Sequence, residues 1–279
     1  MSNSLIPLPA GALIGLLREA LEGTLVERGL GQGLELLGHA EGFWAAVPLM
    51  ELRRMAEAGN RNAQAELAWR HAAGEGVTKS YATAVRWASA SAEHDCPAGE
   101  AVLGWLLYQG VGLPRDYQEA VRLFESAARQ GDTRGMTWLA LCLVRGHGVT
   151  VDAPRAAGLF EQAGQKGARL AQYWRGRVLY FGIGIERDFS AAVHWLQLAA
   201  AHGQSSAHDL LARCHFFGRG VAEDHAVAAG HWRQAAADGD VSASFCLGMC
   251  LYAGEGLPAD AAEAVAHFRV AARKGLAGA

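Results

Sequence analysis

A Gly-x-Gly pair recurs every 36 residues and keeps register six times. The pairs are Gly74/Gly76, Gly110/Gly112, Gly146/Gly148, Gly182/Gly184, Gly218/Gly220 and Gly254/Gly256. A second glycine series runs in phase with the first: Gly59, Gly131, Gly167, Gly203, Gly239 and Gly275, with Asp95 at the one remaining step. A fixed period of this size is the mark of a tandem array whose units stack into a solenoid. Each unit of such an array packs mainly on its neighbours, so function is expected along an extended surface, not in one closed pocket.

Six full units tile residues 60–95, 96–131, 132–167, 168–203, 204–239 and 240–275. In the second, apolar and small residues take helical spacing over about 97–109 (helix A) and about 117–130 (helix B). The residue before helix B is Ser80, Asp116, Asp152, Asp188, Asp224 or Asp260. Each can cap the helix by accepting a hydrogen bond from a first-turn amide. The first Gly of each pair ends helix A. The Gly131 column ends helix B, where a left-handed residue is needed. Small residues recur at matched heights in the Gly99, Gly104 and Ala120 columns. Leu67, Leu103, Leu139, Leu211 and Leu247, with Phe124, Phe160, Trp232 and Phe268, then seal the helix pairs. Arg175 is an outlier in the leucine column.

The pattern small-x3-Leu-Gly…Tyr-x-Gly-x-Gly-Val…Asp-x3-Ala-x2-aromatic-x3-Ala-Ala-x2-Gly resembles the Sel-one-like repeat (SLR) family, a branch of the tetratricopeptide-like solenoids. Stretches such as GEAVLGWLLYQGVGLPRDYQEAVRLFESAARQG and SFCLGMCLYAGEGL carry the resemblance. It implies an all-α, right-handed superhelix of αα-hairpins with helices A on the concave side.

Residues 1–59 are expected to form an N-terminal helical cap. Within it, 11–22 reads as an amphipathic helix with Arg18, Glu19 and Glu22 on its polar side; a signal peptide is the lesser reading. Residues 24–59 read as a degenerate seventh unit, with Pro48 opening its second helix and Met50, Leu52 and Met55 as its apolar positions. A tail of 276–279 follows the last unit. Its helix B, with Val265, Phe268 and Val270, lacks a covering helix and offers a homodimer contact.

The chain of 279 residues has a net charge of −3, which gives no overall pull toward nucleic acid or anionic membrane. Its apolar N-terminal stretch is too short to span a bilayer. The five cysteines do not pair regularly, so reduced thiols in a cytoplasmic protein are expected. Some cysteine-rich members of the resembling family act on β-lactams, but their regular cysteine pairs are absent here. The glycine pairs lack the third glycine of a dinucleotide fingerprint and end helices instead of opening them. His208 and His215 lie near Cys214, Cys246 and Cys250, yet Cys142 holds the same column as Cys214 and Cys250. That column therefore reads as small-apolar packing. The chain is expected to be non-catalytic, with no cofactor and no metal; a hydrolase is the remote alternative.

Function is then sought where the units differ. One stripe of helix A carries Trp69, Trp105, Arg134, Trp138, Leu141, Arg145, Trp174, Arg177, Phe181, Arg213 and Phe217. Trp, Phe and Arg dominate binding hot spots. The stripe is expected to bind an apolar or acidic peptide, helix or protein partner, as an adaptor or scaffold does. The alternatives are that part of the stripe is inter-unit core, and that the chain is a dedicated immunity protein or chaperone for a toxin or secreted effector.

Overall fold

The structure, a computed structural model, describes residues 43–273. Two short helices come first, α1 (Phe43–Ala46) and α2 (Leu49–Glu57). Six hairpins follow: α3/α4 (Arg61–Ala73, Tyr81–Ala92), α5/α6 (Pro97–Gln109, Tyr117–Arg129) and α7/α8 (Thr133–Arg145, Ala153–Gln165). The last three are α9/α10 (Arg169–Phe181, Phe189–Ala201), α11/α12 (Ala207–Phe216, His225–Ala237) and α13/α14 (Val241–Ala253, Ala261–Arg273). No strand occurs among the described residues. The amphipathic helix expected over 11–22, residues 24–42 of the degenerate unit, and Gly275 lie outside the described residues.

The expected caps form. Asp116 accepts from the amides of Gln118 and Glu119 at 3.0 Å. Ser80, Asp152, Asp188, Asp224 and Asp260 each accept from the amide three residues on. Such caps stabilise a helix by about 1 kcal/mol each. Asn60, Asp132 and Asp240 cap helices A in the same way, a column not anticipated from the pattern.

The two glycine series do different work. Gly131, at φ +88°, closes α6: its amide donates to the Ala128 carbonyl and the Asp132 amide to Ala127. This is the paired hydrogen bonding of a Schellman end. Asp95 takes the same left-handed conformation at φ 52°, the one non-glycine to do so among the described residues. In most of the Gly-x-Gly pairs the first glycine caps helix A, and from the second pair onward the second glycine touches the preceding unit. A Cβ on Gly148 would fall on the Tyr117 carbonyl, on Gly184 against Ala153, on Gly220 against Phe189, and on Gly256 against His225. These four partners open the preceding helix B. The second glycine therefore sets how closely consecutive hairpins approach.

The core is a string of local clusters, with the small columns at its centre. Ala84, Ala120, Ala156, Ala192, Ala228 and Ala264 are all fully buried. A Cβ on Gly104 would strike Phe124, and one on Gly248 would strike Phe268. Arg175, the leucine-column outlier, reaches out of the seam to Glu161 at 3.0 Å. In α2, Leu52 and Ala56 are buried, but Met50 is 77% exposed and is not the core residue expected. On α14, Val265 and Val270 are exposed, whereas Phe268 turns in against Phe245, 5.6 Å between rings.

The first hairpin is tied to the N-terminal helices by a buried arginine. Arg70 donates to the carbonyls of Trp44 and Val47 at 2.9 Å and to Glu66 at 3.1 Å. Later units carry Leu106, Cys142, Val178, Cys214 and Cys250 in that column. The polar exception stands where the array meets α1 instead of another hairpin.

Helices A do not keep one spacing. α3 packs on α5 and α5 on α7, while the later helices A do not pack on one another to the same extent.

Candidate partner-binding surface

That change of spacing divides the predicted stripe in two. In the first half the residues pack on each other. Trp69 and Trp105 meet edge to face at 5.6 Å. Arg134 lies over Trp69 at 5.0 Å and its guanidinium is 3.7 Å from Glu66. Trp138 stacks on Phe124 of the preceding hairpin and meets Tyr108. Leu141, predicted to face a partner, is only 2% exposed and belongs to the central core, because the neighbouring helices close over that height. This half is largely inter-unit seam.

From Arg145 onward the stripe opens. Trp174 repeats the Trp138 arrangement by stacking on Phe160, 5.8 Å between rings. Its surroundings differ: Arg177 lies over it at 4.7 Å and Arg145 approaches at 5.8 Å. Arg177 also lies over Phe181 at 5.8 Å. Phe181 and Phe217 are large apolar rings that stay 47% and 54% exposed. Arg213 belongs to the interior bookkeeping instead. It pairs with Asp209 at 2.9 Å, and the same carboxylate accepts from the Trp232 indole.

Two residues inside the glycine pairs join this surface and were passed over as punctuation. Arg219 donates to the Tyr180 hydroxyl at 2.6 Å and lies over Phe217 at 4.9 Å. His147 sits 2.9 Å from the Tyr108 hydroxyl, which also accepts from Arg145 at 2.8 Å. Arginine only donates, so the tyrosine proton is free to go to the His147 nitrogen. The signal was available: between the two invariant glycines the residue changes from Glu75 through Val111, His147, Ile183 and Arg219 to Glu255.

Elsewhere the reactive groups are quiet. All five cysteines are free thiols, and Cys142, Cys214 and Cys250 are buried. Burial pushes the Cys142 thiol up to about 12 and those of Cys214 and Cys250 to about 11. Such thiols are poor nucleophiles and metal ligands at neutral pH. His208, His231 and His215 stack between α11 and α12, at 5.2 and 5.7 Å between rings. Burial and the two flanking imidazoles hold His231 down at about 4, so it packs as a neutral ring near pH 7. Among the described residues no group of three or more His, Cys, Asp or Glu is arranged to hold a metal ion. No helix among them is long and apolar enough to cross a membrane.

The fold and surface together define a tandem αα-hairpin solenoid whose non-repeating residues lie on helices A and the turns that end them. Sel1 repeats match residues 61–96, 97–132, 133–167, 169–204, 205–240 and 242–276, and the chain belongs to the Sel1 repeat family. Among solved structures, it is similar to a protective antigen of uropathogenic Escherichia coli with an SLR fold. The identity is 30% and the TM-score 0.66, over 82% of this chain and 49% of that one. It is also similar to a Sel1 repeat protein from Oxalobacter formigenes, at 31% identity and TM-score 0.64, over 80% and 65%. The chain thus spans about half of the first relative and under two thirds of the second. An immunity protein from Pseudomonas aeruginosa shares the fold at 19% identity and TM-score 0.50, over 75% and 81%. No curated protein matches the chain.

Proposed function

We propose that the chain is a protein-interaction scaffold that holds a segment of a partner protein on the open half of its helix-A stripe, from Arg145 to Phe217. One observation carries the reading: Phe181 and Phe217 expose about half their surface beside arginines, Arg177 over the one ring and Arg219 over the other. Large apolar rings bordered by polar groups mark interaction sites on soluble chains. Membership in the Sel1 repeat family supports an interaction role. The stripe offers rings and guanidiniums but no acid–base cluster set in a cleft, which favours binding over chemistry.

The test is a double substitution, Phe181→Ser with Phe217→Ser, in a tagged chain recovered from its source cell. Both rings are exposed, so the melting temperature should change little. Quantitative mass spectrometry should show the main co-purifying protein reduced at least tenfold. Unchanged recovery would overturn the placement of the site.

A further inference from the structure

We infer that Arg145, Arg177 and Arg219 form a ladder that docks an extended acidic segment, with its carboxylates on the guanidiniums and its apolar side chains on Phe181 and Phe217. This rests on the scaffold reading and names the chemistry of the partner.

The three arginines come from three successive hairpins, yet a chain of side-chain contacts links them. Arg145 and Arg177 share the Trp174 ring, and Arg177 continues to Phe181. Phe181 meets Tyr180 at 4.9 Å, Tyr180 accepts from Arg219, and Arg219 covers Phe217. Charge separates these three from the rest of the stripe. Arg134 and Arg213 lie against Glu66 and Asp209. Arg145, Arg177 and Arg219 form no ion pair among the described residues. In a chain with 28 acidic residues and a net charge of −3, three guanidiniums from successive hairpins thus have no carboxylate partner among the described residues.

The geometry favours carboxylates as the missing groups. An arginine stacked on a ring keeps its planar edge free, and that edge matches a carboxylate with two parallel hydrogen bonds. Arg145 and Arg219 each use one Nη atom on a tyrosine hydroxyl, which restrains the guanidinium and leaves its other N–H groups to donate elsewhere. The rings beneath exclude water from one face of each pair and accept apolar side chains between the charges. A single exposed ion pair contributes little, so the surface works only if several engage in step. An extended chain advances about 3.3 Å per residue, so carboxylates at every third residue recur about every 10 Å along it and offer repeated acidic groups to the ladder.

The probe is a fluorescein-labelled 12-residue peptide, (Asp-Leu-Ser)4, read by fluorescence anisotropy beside its (Asn-Leu-Ser)4 analogue and a 12-nucleotide oligo-dT. The aspartate peptide should bind at least tenfold more tightly than the asparagine analogue, and more weakly as NaCl rises from 50 to 500 mM. Arg145→Gln/Arg177→Gln/Arg219→Gln should lower its affinity at least tenfold. Arg54→Gln/Arg122→Gln/Arg155→Gln, which removes equal charge elsewhere, should leave it unchanged. If the first triple variant melts early, Arg177→Gln alone decides, because that side chain holds no intramolecular hydrogen bond among the described residues; it should weaken binding several-fold. Equal binding of both peptides, or preference for oligo-dT, would overturn an acidic protein segment as the occupant. Loss of partner capture in the Phe181→Ser/Phe217→Ser chain alongside such a result would keep the site and reject only its chemistry.

Discussion

Gly148→Ala should lower the melting temperature by roughly 5–15 °C, one of the two largest single-residue losses expected in this chain. Two costs combine. Gly148 sits at φ +72°, where an L residue costs about 1–2 kcal/mol. Its new Cβ would also land on the carbonyl of Tyr117, which is backbone and cannot swing aside. Forced overpacking of that kind typically costs about 1–3 kcal/mol more. Gly76→Ala supplies the control. Gly76 has the same left-handed backbone, at φ +67°, but nothing lies within 4 Å of a Cβ there. It should lose only the conformational part. Thermal melts followed by circular dichroism compare the two. Equal losses would mean that the second glycine serves the turn alone and does not set the distance between hairpins.

The second large effect is at the N-terminal junction. Arg70→Leu should destabilise the first hairpin by about 3–5 kcal/mol, because the buried Glu66 side chain loses its nearest partner. The carbonyls of Trp44 and Val47 lose a donor in the same change. The damage should be local, since solenoid units depend chiefly on their neighbours. Hydrogen exchange should quicken in α1 to α4 and stay unchanged in α11 to α14. Adding Glu66→Val restores the apolar pair that the second unit carries as Val102 and Leu106, and should recover most of the hairpin's stability. It should not slow exchange in α1 again. A neutral Arg70→Leu would show that the buried pair does not hold the junction.

Much of this fold is legible in the sequence because the period repeats each local decision six times. Helix A of the second unit reads as about 97–109 and runs Pro97–Gln109; helix B reads as about 117–130 and runs Tyr117–Arg129. The Asp116 column caps helices B because the chemistry of an N-cap is local. The stripe was harder to read, because burial there depends on how far apart helices A lie, which no column records. Trp138 and Trp174 are the same residue in the same column, and both stack on a phenylalanine of the preceding hairpin. Only the second has guanidiniums over it. Leu141 and Arg177 also share a column, yet one is core and the other only half-buried. Arg219 was missed for the opposite reason. It lies between two glycines that repeat so strictly that the variable residue between them looked like part of the turn.

The placement of the partner segment is tested most directly by site-specific photo-crosslinking in the source cell. A photoreactive phenylalanine analogue at Phe217, on the open stripe, is compared with the same group at Val227, an exposed position on the helix-B side of the same hairpin. A discrete adduct to one protein from position 217 and none from 227 is the expected result. Adducts of the same mass and yield from both positions, or from 227 alone, would contradict the account.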